Sequence, residues 1–183
     1  TSGWSHYTTS NIGDAGNFLK EKGYSIQKSG LAGTIALTGS LYLDDIGESI
    51  SITDGVDGLV GTRWNLIGNP YTASLHGNNA ADAANNFLKV NIDANILDPA
   101  RAGMYLWNGT PPYEVKSLDD AAFYIAPGQA FFVHSPGGGG TTASFTETMQ
   151  THQTGNVFLK SSTTYPEMRL HVTDNANSSS TKI

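Results

Sequence analysis

The sequence predicts an all-β fold, an antiparallel β-sandwich of jelly-roll character with two short helices. Three observations carry this reading. Charged residues make up only 14% of the 183 residues, so Asn, Ser, Thr and Gly must supply the surface; helical proteins solubilise themselves with far more Glu and Lys. Apolar residues reach only 38%, and the 21 glycines punctuate the chain at short intervals. Between those breaks, short runs alternate apolar with small or polar residues, the pattern of many short strands in a sandwich or barrel.

Taken in order, Asp14–Lys22 (DAGNFLKEK) has an N-terminal Asp, C-terminal lysines and a stopping Gly23, and is expected to be the first helix. Gly33–Asp44 alternates Ile35, Leu37, Leu41 and Leu43 with small or polar residues, and Gly39 marks a bulge or tight bend. Gly47–Thr53 places Ile50 and Ile52 on one side of a second strand, and Asp54–Gly58 (DGVDG) reads as a turn or loop. Trp64–Ile67 is the next strand. Its Trp64, Leu66 and Ile67 are expected in the core, and Asn69-Pro70 turns the chain, because a residue before proline is held extended.

Ala80–Val90 (AADAANNFLKV) is expected to be the second helix, docked through Phe87 and Leu88. Gly103–Trp107, Ala122–Ile125, Ala130–Ser135, Thr141–Met149 and Glu167–Thr173 read as strands, with Pro136–Gly140 a flexible connection. The first half offers Trp4, TTS at Thr8–Ser10 and a D-A-G-N-F-L-K run. The second offers Trp64, TAS at Thr72–Ser74 and a D-A-A-N-N-F-L-K run, so the chain reads as two related halves, about 1–58 and 59–173, in one unit. The polar tail at 174–183 is expected to be a linker or frayed end.

A net charge of −6 gives no basic stripe for a phosphate backbone, which argues against nucleic acid as partner. No apolar run approaches the roughly 18 residues of a membrane span. The opening Thr-Ser-Gly-Trp has no signal-peptide pattern, so the chain reads as a mature or excised piece of a longer protein. Without cysteine there is no disulfide, thiol nucleophile or thiolate metal site. Low charge and abundant Ser, Thr and Asn lean towards the outside of a cell.

Motifs for chemistry are sparse. His6, His76, His134, His152 and His171 show no local zinc spacing. The adjacent pairs Asp44-Asp45 and Asp119-Asp120 would point to opposite sides of a strand, so neither is a ready acid/base dyad. No cofactor is expected; the one metal allowed for is a structural calcium ion near Asp54–Asp57, since loop carboxylates and carbonyls suit that hard cation. No nucleophile-elbow pattern occurs. Loop aromatics stiffened by proline are more informative: Tyr71 after Pro70, Tyr113 after Pro111-Pro112, and Tyr165 before Pro166. Such a ring beside amide or hydroxyl groups suits a sugar, which has an apolar face and polar edges.

Four motifs in order carry a resemblance. Trp64–Tyr71 (WNLIGNPY), Met104–Gly109 (MYLWNG), Tyr124–Val133 (YIAPGQAFFV) and Phe145–Met149 followed by His152 resemble a module of large secreted proteins of Bacteroidota. The resemblance spans at least residues 60–155; Ala73 stands where that family often has Pro or Ser, and Ala130 where it has Gly. It implies an exported modular parent, often with a type IX secretion sorting domain, and a non-catalytic β-sandwich. The expected function is therefore a non-catalytic accessory module, secreted or at the cell surface, that binds polysaccharide or oligosaccharide beside other domains of its parent chain. The expected contacts are Tyr71, His76, Asn78, Arg101, Trp107, Asn108 and Tyr113. The alternative is a spacer that packs between a catalytic domain and a sorting domain.

Overall fold

The computed structural model describes residues 7–8, 10–17, 22–25, 50–52, 63–109, 111–137, 141–153, 169–173 and 178–182. In chain order its strands are β1 (Ile50–Ile52), β2 (Trp64–Gly68), β3 (Ser74–His76), β4 (Met104–Leu106), β5 (Glu114–Lys116), β6 (Tyr124–Ile125), β7 (Ala130–His134), β8 (Thr141–Ala143), β9 (Gln150–Thr151), β10 (Arg169–Thr173) and β11 (Ser178–Lys182). Among the described residues the single α-helix is α1 (Phe87–Asp93). Every strand pair is antiparallel. The described residues are mostly strands in antiparallel sheets with one short α-helix, in line with the expected β-rich class.

One sheet has four strands in the order β2-β7-β4-β5 and another three in the order β6-β3-β9; β1 pairs with β8, and β10 with β11. In the larger sheet Ile67 lies opposite Phe131 and Asn65 opposite Val133, while Leu66 lies opposite Phe132 and Tyr105 opposite both Phe132 and Val115. Directly opposed residues share a face, and successive residues alternate. Ile67, Phe131, Val133, Met104 and Leu106 therefore form one face, and it is buried. Trp64, Leu66, Tyr105, Phe132 and Val115 form the other.

The buried face joins Leu75 and Ile125 of the smaller sheet, Phe87 and Leu88 of α1, and Phe145 and Met149 in one hydrophobic cluster. The Phe87 ring stands 5.1 Å from Phe131 and 5.0 Å from Phe145. Each such side chain, once fully buried, contributes about 1.5–3 kcal/mol. Asn91, also buried, ties α1 to the segment after β8: its Nδ2 donates to Ser144 O at 3.0 Å and its Oδ1 accepts from Ser144 N at 2.7 Å.

Both expected helices need correction. The second starts after Asn86 rather than at Ala80. Asp82 Oδ1 accepts from Ala84 N and Asn85 N, which holds the preceding residues in a turn, and Asn86 Oδ1 caps the helix by accepting from Lys89 N at 2.8 Å. Where the first helix is expected to begin, Ile12–Ala15 forms a 3-10 turn that Gly16 ends at φ 65, outside the helical region, and residues 18–21 of that expected helix lie outside the described residues. Further on, Lys22 bridges antiparallel to Ile67, and Gly23 N donates to Leu66 O at 3.0 Å, so this segment lines the edge of β2.

The strand expected over Thr141–Met149 stops at Ala143, and a 3-10 turn occupies Glu147–Met149. The stretch from residue 174, expected to fray, instead contributes β11, whose backbone pairs from Ser178 to Lys182 with β10; Ser and Thr suit a two-stranded ladder as well as they suit a linker. β3, β5 and β9 were not expected as strands. The Gly33–Asp44 strand, the Asp54–Gly58 loop and most of the first half of the internal echo lie outside the described residues. No helix among the described residues is long and apolar enough to cross a membrane.

Candidate functional site

The loop after β2 is closed from within. Asn69 is buried; its Nδ2 lies 2.9 Å from Ala73 O and 3.1 Å from both Ile125 O and Ala126 O, while its Oδ1 accepts from Tyr71 N at 2.9 Å. That arrangement turns Tyr71 inward. The tyrosine is 2% exposed, belongs to the core cluster, and donates its hydroxyl to Phe145 O. Tyr71 is thus a core residue rather than a ligand contact, because its loop is drawn onto β6 by a buried amide.

Asn78 is corrected on the same ground. It is fully buried, donates to Asp120 O at 2.7 Å and Ala121 O at 3.2 Å, and accepts from Ala81 N and Phe123 N. Every polar atom of its amide is engaged by the loop it holds. His76 is half-buried on β3, with Nδ1 3.7 Å from Asp82 Oδ2 and its ring 5.8 Å from Tyr124. Asp82 is held below the ordinary carboxylate value of 3.8, chiefly because it accepts from the backbone N–H of Asn85 and Ala84. His76 stands on the three-stranded sheet, apart from the aromatic group described next.

Trp107, Asn108 and Tyr113 do come together. They occupy the connection between β4 and β5, where Gly109 turns at φ 97 and the Pro111-Pro112 peptide is cis. Trp107 is 51% exposed and Tyr113 43% exposed, with ring centres 5.1 Å apart and planes tilted by 55°. Tyr113 also stands edge-on to Phe132 at 5.4 Å. Asn108 follows Trp107 and is half-buried. The result is a pair of touching, tilted aromatic rings, both partly open to water, with an amide next to them.

Arg101 sits near the opposite end of the same sheet. It ends the 3-10 turn Pro99–Arg101 and donates to Asp98 Oδ2 at 3.2 Å. The same oxygen lies 3.0 Å from Nδ1 of the buried His134, and Asp98 N donates to His134 O at 3.0 Å. Asp98 lies below its ordinary value of 3.8, first because it accepts from Ala100 N. His134 lies below 6.5, first because burial disfavours its charged form; Asp98 opposes that shift, and Arg101 and Arg63 add to it. At neutral pH the imidazole is therefore uncharged.

His134 in turn supports Trp64, whose ring stands edge-on to it at 4.7 Å and to Tyr105 at 4.6 Å. Trp64 is 37% exposed, which corrects its expected place in the core. Sequence reasoning missed Trp64, Tyr105 and Phe132 as surface groups because both faces of these strands are apolar. The available signal was parity, since Tyr105 and Trp107 share a side that excludes Met104 and Leu106.

Among the described residues no group of three or more His, Cys, Asp or Glu side chains could hold a metal ion, and Asp54–Asp57 lies outside them. No family model, curated protein or solved structure matches the chain.

Proposed function

We propose that this chain is a non-catalytic carbohydrate-binding module of a secreted or cell-surface protein, with its two larger sheets packed as a jelly-roll-like sandwich. The observation that carries the reading is the pair Trp107 and Tyr113, both about half exposed and tilted towards each other beside Asn108. Large aromatics left open to water at a hairpin tip cost solubility, and such patches mark ligand or partner sites. Their rings offer apolar faces to sugar C–H groups, and the indole N–H, phenol and amide offer hydrogen bonds to hydroxyls. The resemblance to exported Bacteroidota modules supports the same reading and the same location.

The test is affinity electrophoresis through gels containing algal or plant polysaccharides, with Trp107→Ala and Tyr113→Ala alongside the wild type. Retardation of the wild type that is lost in both folded variants is the expected result. Unretarded wild type in every gel would sink the proposal.

A spacer role is the second reading, favoured by the buried amides of Asn69, Asn78, Asn86 and Asn91, which fasten loops and helix to the sheets. It expects no glycan binding, together with loss of secretion or stability of the parent when the module is deleted.

A further inference from the structure

Trp107 and Tyr113 do not stand alone on their sheet. The face they adjoin continues through Phe132, Tyr105 and Val115 to Trp64, with Tyr113 against Phe132 at 5.4 Å and Tyr105 against Trp64 at 4.6 Å. Tyr105 and Phe132 are directly opposed across β4 and β7, which closes the gap between the two ring pairs. Trp64 lies level with His134, two residues from Phe132, and Trp107 lies two residues from Tyr105 in the other direction. At the rise of an antiparallel strand the two tryptophans are about 14 Å apart along the strands. That exceeds one sugar ring.

The ends of this strip are open. Trp64 is 37% exposed and Trp107 51%, with Val115 at 49% in the middle. A pocket for a chain terminus would enclose its last sugar, whereas here the tryptophans at both ends are partly open to water. Charge narrows the class further. No outward position of β2, β4, β5 or β7 carries a formal charge at neutral pH, His134 being uncharged. The charged groups at the margin are engaged, Arg101 with Asp98 at 3.2 Å, Lys116 with Glu114 at 2.7 Å, and Arg63 with Pro136 O at 3.3 Å. The whole chain is at −6, which repels polyanions.

We infer that the ligand is an internal stretch of an extended, uncharged polysaccharide, laid along the four-stranded sheet from Trp107 to Trp64. This rests on the carbohydrate reading above. Phe132 and Tyr105 form the floor between the two tryptophans.

Titration calorimetry tests it, using cello-, laminari-, xylo- and manno-oligosaccharides of one to six units and alginate oligosaccharides as the charged counterpart. In a neutral series, affinity is expected to climb with length. Truncating one exposed aromatic anchor should cost about tenfold or more on the longest oligomer. Trp64→Ala is expected to flatten the length dependence, and Trp107→Ala to weaken every length. Val115→Lys, at a half-exposed position in mid-strip, is the second variant should Trp64→Ala unfold, and is expected to weaken the long oligomers.

A mono- or disaccharide that binds as tightly as the hexamer would overturn the inference while leaving carbohydrate binding standing. So would binding of alginate alone, or a length dependence indifferent to Trp64 and Val115. Absence of binding across all series would overturn the carbohydrate reading itself.

Discussion

Tyr71 and Tyr113 each follow a proline in a connection between strands, and they end in opposite environments. Tyr71 is 2% exposed with its hydroxyl on Phe145 O; Tyr113 is 43% exposed with its ring against Trp107. On the Tyr71 side the neighbouring asparagine is decisive. Asn69 gives its Nδ2 to the carbonyls of Ala73, Ile125 and Ala126 and takes the Tyr71 N–H on its Oδ1, and so folds Tyr71 under it. At the hairpin of Tyr113 the ring follows strand parity out to the open face, where it meets Trp107 and Phe132. A ring and a preceding proline, which the two tyrosines share, thus do not fix burial, and Tyr71 is held inside by the polar fastening beside it.

The sharpest way to break this comparison is to truncate both rings. Tyr71→Ala is expected to lose about 4 kcal/mol of stability, the usual cost of removing a buried aromatic. Tyr113→Ala should lose less than about 1 kcal/mol, as a surface change. Denaturant unfolding of the two variants measures the contrast, and equal losses would refute it.

Asn69→Ala comes next. It strips the donor from three carbonyls and the acceptor from Tyr71 N, and unmet buried groups of this kind make a loss of about 3 kcal/mol the expected result. Hydrogen exchange at Tyr71 N should accelerate along with it, while amides of β5 stay as they were.

The smallest effect separates the regions by pH. His134, beside Trp64 at one end of the open face, has a folded-state pKa below 6.5, so the unfolded chain takes up the proton more readily. The stability that its neutral form supplies is complete above pH 6.5 and is lost as pH falls from there through the folded value. Asp98 and Asp82, both below 3.8 in the fold, contribute fully above that pH and lose their contribution as pH falls through their folded values. Melting temperature followed from pH 7 to pH 4 should therefore decline earlier in the wild type than in His134→Gln. Parallel curves would remove His134 from the account.

Much of the strand framework was legible because its signal is local. Alternation and flanking glycines place β2, β4 and β7 within a residue or two of their observed limits. The helices were less so, because Asp82 and Gly16 act through turn geometry that composition does not display. At the site, Trp107, Asn108 and Tyr113 were named from the sequence one by one, and the pairing of the two rings comes from the short hairpin between β4 and β5. The burial of Tyr71 and Asn78 was not legible, since it depends on groups dozens of residues away, such as Ile125 O for Asn69 and Asp120 O for Asn78. Trp64 was misplaced for a third reason. In β2 and β7 both alternating sets carry large apolar residues, and only the partner across the register decides which set meets water.

The Lys22–Gly23 clip on β2 bears on how such a molecule avoids its own kind. An unpaired strand edge is a template for another chain, and an aromatic sheet beside it would compound the hazard of polymerisation. Gly23 N occupies Leu66 O on one flank of the four-stranded sheet. On the other flank β5 is three residues long and carries the Glu114–Lys116 ion pair, too short and too charged to seed a growing stack. The sheet therefore separates two kinds of stickiness: both flanks are blunted against further strands, while Trp64, Trp107 and Val115 stay open to water on its surface.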